Sequence, residues 1–293
     1  MKAEIPYLKG ESKLVYEPAP HGADNRWFIN DHCFVVDAEG VLHFYGINNP
    51  YPPQGKEKEL YRFHPYLGHA TSVAPEHAWH RQGFALDDSH GAEYLGAPFV
   101  VWLRRQKRYV MLFESRIDDH RALELAYSTD LSCWNRTGIP VLQDLPETKR
   151  DPCILEQEDG SFLIFLCTPN PDGSSITVTR TTDFTKFDSP KTCLLIRDGI
   201  TRGGMESPFV VQRNGLYYLF FTYAHRHYYE TVVSCSQTFE HFSTENIVTT
   251  LYGHAAEIFG YKGKTYISSC GPEDGQWLNR HGLYLAQLAW ASV

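Results

Sequence analysis

The chain has 293 residues, 14% of them aromatic and 42% hydrophobic, and a formal net charge of −8. Such a composition can bury a large core, which excludes a disordered, collagen-like or coiled-coil protein. The sequence contains no basic block, so no nucleic-acid partner is expected, because phosphate backbones are bound by clustered lysine and arginine. No apolar run approaches the roughly 20 residues that span a bilayer, so no membrane partner is expected either.

The N-terminal segment and the cysteines predict a cytoplasmic protein. Residues 1–13 lack the apolar stretch of a signal peptide. Seven cysteines are scattered along the chain without a CxxC pair, and an odd number argues against a disulfide framework. We therefore expect reduced cysteines in the core.

One pattern recurs along the chain: an apolar strand, a turn with glycine or charged residues, and a second strand of apolar and aromatic residues. Five copies begin at Asp31, Ala97, Asp151, Ser207 and Ala255. Their spacing is about 55 residues, slightly longer than the propeller repeats of about 40–50 residues. Each copy has the composition of a β-hairpin. After each of the first four comes a further strand, a turn with serine or threonine and then an aromatic residue, at 70–81, 126–136, 179–189 and 234–244.

A hairpin followed by further strands, repeated along a chain, is typical of the four-stranded blade of a β-propeller. We predict an all-β protein whose residues 1–293 form a single-domain five-bladed β-propeller with four-stranded antiparallel blades. The blades are expected at about 27–83, 93–138, 150–190, 205–247 and 253–292, and residues 11–18 could pair with the last blade. An open β-sandwich or a β-helix is the alternative, but a sandwich does not predict sequence self-similarity.

Three acidic residues lie near the starts of the repeats. Asp31 and Asp151 begin the first and third copies, and Glu206 stands one residue before the fourth. The first strand of a propeller blade lines the central channel, so these side chains are expected to converge. Buried acids cost free energy unless they are paired or functional. The pattern therefore predicts one three-carboxylate site, although each acid taken alone could be a turn or surface residue.

The residues around these acids resemble a superfamily of five-bladed glycosidases that includes glycoside hydrolase families 43, 32 and 68. The order Asp, Asp, Glu over blades one, three and four is that superfamily's pattern. The WFIND string ending at Asp31 and the Arg150-Asp151-Pro152 string resemble family 32, whereas the strings beginning at Glu206 and Gly96 resemble family 43. The resemblance extends over 27–290, and the family within the superfamily stays open.

The resemblance implies a role for each acid. Glu206 would be the general acid and Asp31 the base or nucleophile, while Asp151 would orient sugar hydroxyls and keep the acid protonated through like-charge repulsion. The chemistry suits a glycosidic bond, which needs one carboxylic acid for the leaving oxygen and one carboxylate for the anomeric carbon or its water. Carboxylates about 5–5.5 Å apart would imply retention of configuration, and about 6.5–9.5 Å inversion.

Six further residues are candidates for substrate binding, each with a structural alternative. Trp27 could stack on a sugar or fill a gap between blades, and Arg150 could bind a hydroxyl or pair with Asp151. His254 matches Glu206 in the fifth repeat and could be a hydrogen-bonded core histidine or point into the channel. The resemblance implies the channel role, sometimes with a calcium ion bound through water. The remaining candidates are Asn30, Glu93 and His90. No cofactor is required, no metal-ligand spacing is present, and a structural calcium near His254 is the one ion considered.

The resemblance thus implies a glycoside hydrolase that cleaves furanosidic linkages in a small oligosaccharide or glycoside. Arabinofuranosides come first and fructofuranosides second. The long segment 48–59 could close one end of the pocket and favour exo action. A transglycosylase on the same scaffold is one alternative, and a non-catalytic carbohydrate-binding propeller is another. The sequence predicts no oligomeric state.

Overall fold

The computed structural model describes residues 2–19, 27–51, 64–87, 89, 91–118, 120–201, 203–224, 228–270 and 282–292. These residues form twenty β-strands, and their helical structure is confined to short turns such as Thr244–Asn246. Among them, no helical segment combines the length and the apolarity that a membrane crossing requires. All seven cysteines are free, and Cys133 is the exposed one.

The strands are organised into five four-stranded sheets. Four sheets are antiparallel meanders in chain order. They consist of β2 (Trp27–Val36), β3 (Leu42–Pro50), β4 (Leu67–Ala74) and β5 (Ala78–Leu86); β6 (Tyr94–Leu103), β7 (Arg108–Ile117), β8 (His120–Ser128) and β9 (Asn135–Val141); β10 (Arg150–Glu156), β11 (Phe162–Asn170), β12 (Gly173–Thr181) and β13 (Lys191–Ile196); β14 (Glu206–Arg213), β15 (Leu216–Thr222), β16 (Glu230–Ser236) and β17 (Ile247–Tyr252). The predicted all-β class with five four-stranded propeller blades is confirmed.

The fifth sheet is assembled from both ends of the chain. Its strands are β1 (Glu4–Tyr16), β18 (Ile258–Tyr261), β19 (Lys264–Cys270) and β20 (Leu283–Ser292). Their order is β1-β20-β19-β18. The N-terminal strand therefore joins the last blade, as expected from segment 11–18, and it begins earlier than that segment.

The chain divides into two compact units, here called unit 1 and unit 2. Unit 1 consists of Met1–Glu11, Leu142–Ile267 and Ala286–Val293, and unit 2 consists of Ser12–Val141 and Ser268–Leu285. The sheets β10–β13 and β14–β17 belong to unit 1, and the sheets β2–β5 and β6–β9 belong to unit 2. The expectation of a single domain stays a prediction.

The second strand of a sheet is covered on both faces. In β3 every residue from Leu42 to Asn49 is buried, and in β11 the same holds from Phe162 to Thr168. In β11 apolar residues therefore occupy successive positions instead of alternating with polar ones, whereas β3 also buries the polar side chains of His43, Asn48 and Asn49.

Aromatic side chains supply much of this cover. The centroid of the Phe44 ring lies 5.8 Å from that of Tyr16 and 6.2 Å from that of Trp79. Burial of one phenylalanine side chain stabilises the folded protein by about 1.5–3 kcal/mol. The aromatic residues between the strands therefore contribute to the stability of the sheets.

A β-bulge interrupts the first strand of each meander close to its start. Two residues of the first strand face one residue of the second, between the pairs Ile29↔Asn48 and His32↔Gly46, Gly96↔Glu114 and Phe99↔Leu112, Arg150↔Cys167 and Cys153↔Phe165, and Glu206↔Thr222 and Phe209↔Phe220. A bulge bends the strand and re-aims the side chains beside it. The three predicted carboxylates lie at or next to three of these bulges.

Candidate carboxylate site

The three acids occupy three successive positions around their bulges. Glu206 is the last paired residue before the bulge of β14, Asp151 is the first bulge residue of β10, and Asp31 is the second bulge residue of β2. The sequence repeat had aligned Asp31 with Asp151, which differs by one residue from the hydrogen-bonded register. The difference arises because a bulge adds a residue whose position the sequence pattern does not reveal.

The backbone conformation at the bulge also differs between sheets. Asp151 has a φ of 55° and Ser207 a φ of 48°, both in the left-handed region. Aspartate tolerates this region better than most residues. Ala255, which precedes β18, has a φ of 52°. His254 therefore stands immediately before a left-handed residue, as Glu206 stands before Ser207. Neither bulge residue of β2 has a positive φ.

The Arg150 guanidinium joins two of the three acids within unit 1. Its Nη1 lies 3.0 Å from Oδ2 of Asp151, and its Nη2 lies 3.2 Å from Oε1 of Glu206. The same Nη2 donates to the carbonyl oxygen of Met205 at 2.8 Å. The fork of a guanidinium holds such partners at fixed angles. The expected pairing with Asp151 is therefore present, and Arg150 also fixes Glu206.

Asp151 is held from two directions. Its Oδ2 accepts a hydrogen bond from the backbone N–H of Ser207 at 3.0 Å, so the carboxylate of β10 is tied to the bulge of β14. The side chain is 6% exposed, against 20% for Glu206. The arrangement leaves Glu206 the more accessible of the two acids.

His254 lies beside Glu206 in unit 1. Its Nε2 is 3.9 Å from Oε2 of Glu206, and the ring is buried. Thr222 Oγ1 lies 3.3 Å from Nδ1, and the Tyr228 ring stacks on the imidazole at 4.0 Å with an interplanar angle of 23°. Neither Thr222 nor Tyr228 is among the residues that the sequence predicts for the site. The predicted hairpin pairs Glu206 on its first strand with Thr222 on its second, so the pattern could have identified Thr222. No sequence signal marks Tyr228.

Asp31 lies in unit 2 between two buried residues. It is half-buried, while Asn30 is 9% and His32 is 2% exposed. Asn30 Oδ1 accepts a hydrogen bond from the Cys270 thiol at 3.3 Å, so its side chain is engaged within the protein. The convergence of Asp31 with Asp151 and Glu206 stays a prediction.

The remaining candidates of unit 2 have structural contacts. The Trp27 ring is stacked on Phe84 with centroids 6.0 Å apart. The Glu93 carboxylate is 45% exposed and lies 3.5 Å from Nε of Arg116. His90 and most of segment 48–59 lie outside the described residues. Sugar binding by these residues stays a prediction.

A metal ion finds no ready ligand set among the described residues, because no group of three or more histidine, cysteine, aspartate or glutamate side chains is close enough to hold one. Around His254 the described neighbours are one carboxylate and one hydroxyl, fewer than the 6–8 oxygen ligands that calcium takes. These residues do not fit direct calcium coordination. A calcium ion bound to His254 through water stays a prediction.

Comparison with known proteins shows the fold and leaves the sequence family open. No family model and no curated protein matches the sequence. The GH43_1 enzyme from Xanthomonas citri complexed with xylotriose is similar in structure, with a TM-score of 0.71, 16% identity and coverage of 94% of this chain and 90% of that chain. The endo-arabinase from Bacteroides thetaiotaomicron has a TM-score of 0.66 and 13% identity, covering 96% of this chain and 97% of that one.

A third similar structure comes from the other family that the sequence resembles. The GH32 beta-fructofuranosidase of Bombyx mori has a TM-score of 0.65 and 16% identity, and the match covers 94% of this chain and 61% of that one. The predicted resemblance to families 43 and 32 is thus confirmed at the level of the fold.

Proposed function

We propose that this protein is a glycoside hydrolase that uses Asp31, Asp151 and Glu206 to cleave a furanosidic bond. The observation that carries the proposal is the Arg150 centre, where one guanidinium holds Asp151 and Glu206 at 3.0 and 3.2 Å. Removing two carboxylates from water at the starts of β10 and β14 costs desolvation free energy, which a purely structural protein has no reason to spend. The similarity in fold to glycoside hydrolases of families 43 and 32 supports the same chemistry.

In the proposed mechanism Glu206 protonates the leaving oxygen as the bond breaks. Its greater exposure, 20% against 6% for Asp151, suits a group that must reach a substrate. Asp31 acts on the anomeric carbon directly or through water, and Asp151 accepts hydrogen bonds from sugar hydroxyls. Developing positive charge on the sugar ring is stabilised by the ionised carboxylates. His254, next to Glu206, contacts the substrate or the acid.

The proposed substrates are short arabinofuranosides first and fructofuranosides second, taken up into the cytoplasm. An endo-arabinase and a beta-fructofuranosidase are among the structurally similar proteins, which supports both sugars. The xylotriose complex of the Xanthomonas citri enzyme makes a xyloside the test of the alternative that the bond is not furanosidic. Aryl arabinofuranosides, fructosides, xylosides and galactosides therefore form the substrate panel, with the product anomer identified by NMR.

The experiment compares three single substitutions on the best substrate of the panel. Glu206→Gln and Asp31→Asn should each lower kcat by at least about 10²- to 10⁴-fold, the usual contribution of a positioned acid or base. Glu156→Gln removes an exposed carboxylate at the far end of β10 and should leave kcat unchanged. Parental rates in both active-site variants would refute the assignment. Transfer of the glycosyl group to a second sugar at high substrate concentration would identify a transglycosylase instead.

A further inference from the structure

A buried histidine follows Asp31 and is fully hydrogen-bonded. His32 is 2% exposed, and both ring nitrogens have partners. Nδ1 lies 2.9 Å from the carbonyl oxygen of Asn30, and Nε2 lies 2.6 Å from Oγ of Ser268 on β19. The contacts of the ring therefore extend from the bulge of β2 to the fifth sheet, within unit 2.

Chemistry assigns the direction of both hydrogen bonds. A carbonyl oxygen only accepts, so Nδ1 of His32 carries the proton and donates to Asn30. Nε2 is then an acceptor and receives the hydroxyl proton of Ser268. Burial lowers the pKa of His32 from 6.5 to about 4, which keeps the ring neutral and this pattern intact at neutral pH.

A second contact from β19 reaches the residue on the other side of Asp31. The Cys270 thiol donates to Oδ1 of Asn30 at 3.3 Å, and both Cys270 and Ser268 are buried. Asn30 and His32 are thus tied to the same neighbouring strand, and Asp31 is the residue between them. Its backbone is fixed from both sides, although neither contact involves its carboxylate.

The opposite side of His32 is closed by a glycine. Gly46 is the strand partner of His32, and a Cβ added there would lie 2.7 Å from Cβ of His32 and 3.3 Å from the carbonyl oxygen of Asp31. Such a contact is shorter than real Cβ atoms show. His32 therefore fits between Gly46 on β3 and Ser268 on β19.

We infer that Ser268, His32 and Cys270 are positioning residues that hold the bulge of β2 so that Asp31 presents its carboxylate for catalysis. The inference rests on the proposed function of Asp31. A displacement of about 1 Å in a reacting group can reduce a rate about 10²-fold. The network therefore acts on kcat through the geometry of the bulge, and substrate affinity is left to other residues.

Steady-state kinetics of Ser268→Ala and Ser268→Thr test the positioning role. Alanine removes the hydroxyl that Nε2 accepts, so kcat should fall about 10- to 100-fold with KM within about twofold. Threonine retains the hydroxyl and should restore most of kcat. Ser234→Ala is the matched control, because Ser234 is equally buried and donates to the carbonyl oxygen of Ser243 at 2.8 Å, in unit 1. Its kcat should stay at the parental value.

The Asp31 carboxyl ¹³C resonance, assigned by its absence in Asp31→Asn, gives a readout that does not need turnover. It should shift in Ser268→Ala, stay close to the parental position in Ser268→Thr, and remain unchanged in Ser234→Ala. A kcat no lower than that of Ser234→Ala, or an unmoved resonance, would overturn the inference. If the parent protein hydrolyses no glycoside of the panel, the proposed function fails, and the resonance alone decides whether the network positions Asp31.

Discussion

The bulges of β10 and β14 in unit 1 and the bulge of β2 in unit 2 have the same strand pairing but are held by different interactions. In β10 and β14 the side chains are joined through the charge of Arg150 and the carboxylates of Asp151 and Glu206. In β2 the hydrogen bonds of His32 and Asn30 are neutral. Removal of one charged partner leaves the other charge buried and unpaired, whereas the neutral contacts of β2 are also sensitive to overpacking and to protonation of His32.

Backbone strain also distinguishes these three bulges, although it does not follow the division into units, because Ala97 in the β6 bulge of unit 2 has a φ of 41°. The bulges of unit 1 place Asp151 and Ser207 in the left-handed region, which costs on the order of 1–3 kcal/mol for a residue other than glycine. The bulge of β2 has no such residue. The ionic contacts of Arg150 and the hydrogen bond from Ser207 to Asp151 offset this cost in unit 1. Three substitutions test how much the charged contacts of Arg150 and the neutral packing around His32 contribute to stability.

The largest effect is expected from Arg150→Met. The change leaves the buried Asp151 carboxylate with the Ser207 N–H but without the guanidinium, and breaking a buried pair in this way costs about 3 kcal/mol or more. Urea unfolding would measure the loss. Arg180→Met, which breaks the largely exposed pair with Asp159, is the control and should leave the midpoint unchanged. Equal stability of both variants would mean that the charge of Arg150 does not stabilise these bulges.

A smaller effect is expected from Gly46→Ala in unit 2. The added methyl would lie 2.7 Å from His32 Cβ and from Cζ of Phe44, and overpacking of this kind costs about 1–3 kcal/mol. Gly260→Ala is the matched control, because Gly260 also lies in a strand and has no atom within 4 Å of the new methyl. Thermal unfolding should separate the two variants. Identical midpoints would contradict a tight fit around His32.

The smallest effect is the acid sensitivity that His32 contributes. Its pKa is about 4 in the folded protein and 6.5 as a free side chain. Between these values the unfolded chain binds more protons, so the stability present above pH 6.5 is lost as the pH falls toward 4. The contribution is about 2 kcal/mol between pH 7.5 and 5.

Urea unfolding at both pH values should show a shallower pH dependence in His32→Gln than in the parent protein. Burial also lowers the pKa values of His64 and His69 to about 3, and both residues belong to unit 2. Their contribution is common to both proteins and cancels in the comparison. The same pH dependence in both would show that His32 is not held neutral by the fold.

Local features of this protein can be predicted from its sequence, whereas contacts between distant residues cannot. The hairpins around Asn214-Gly215 and Asp159-Gly160 are visible in the sequence because their turn residues and flanking apolar runs are local, and both are present in the structure. The contact between Arg150 and Glu206 was not anticipated, since the two residues are distant in sequence and meet only when the two sheets pack. The hydrogen bond of His32 to Ser268 spans 236 residues and was missed for the same reason.

The sequence by itself determined the class of the fold, its repeat and the acids to examine, because strand composition, turn chemistry and self-similarity are written in short segments. The tertiary structure alone decided the bulge position of each acid, the shared guanidinium of Arg150 and the neutral anchor of β2. These features depend on hydrogen bonds between residues that are distant in sequence, and on the burial of the side chains that form them. Both are consequences of packing, which no local pattern encodes.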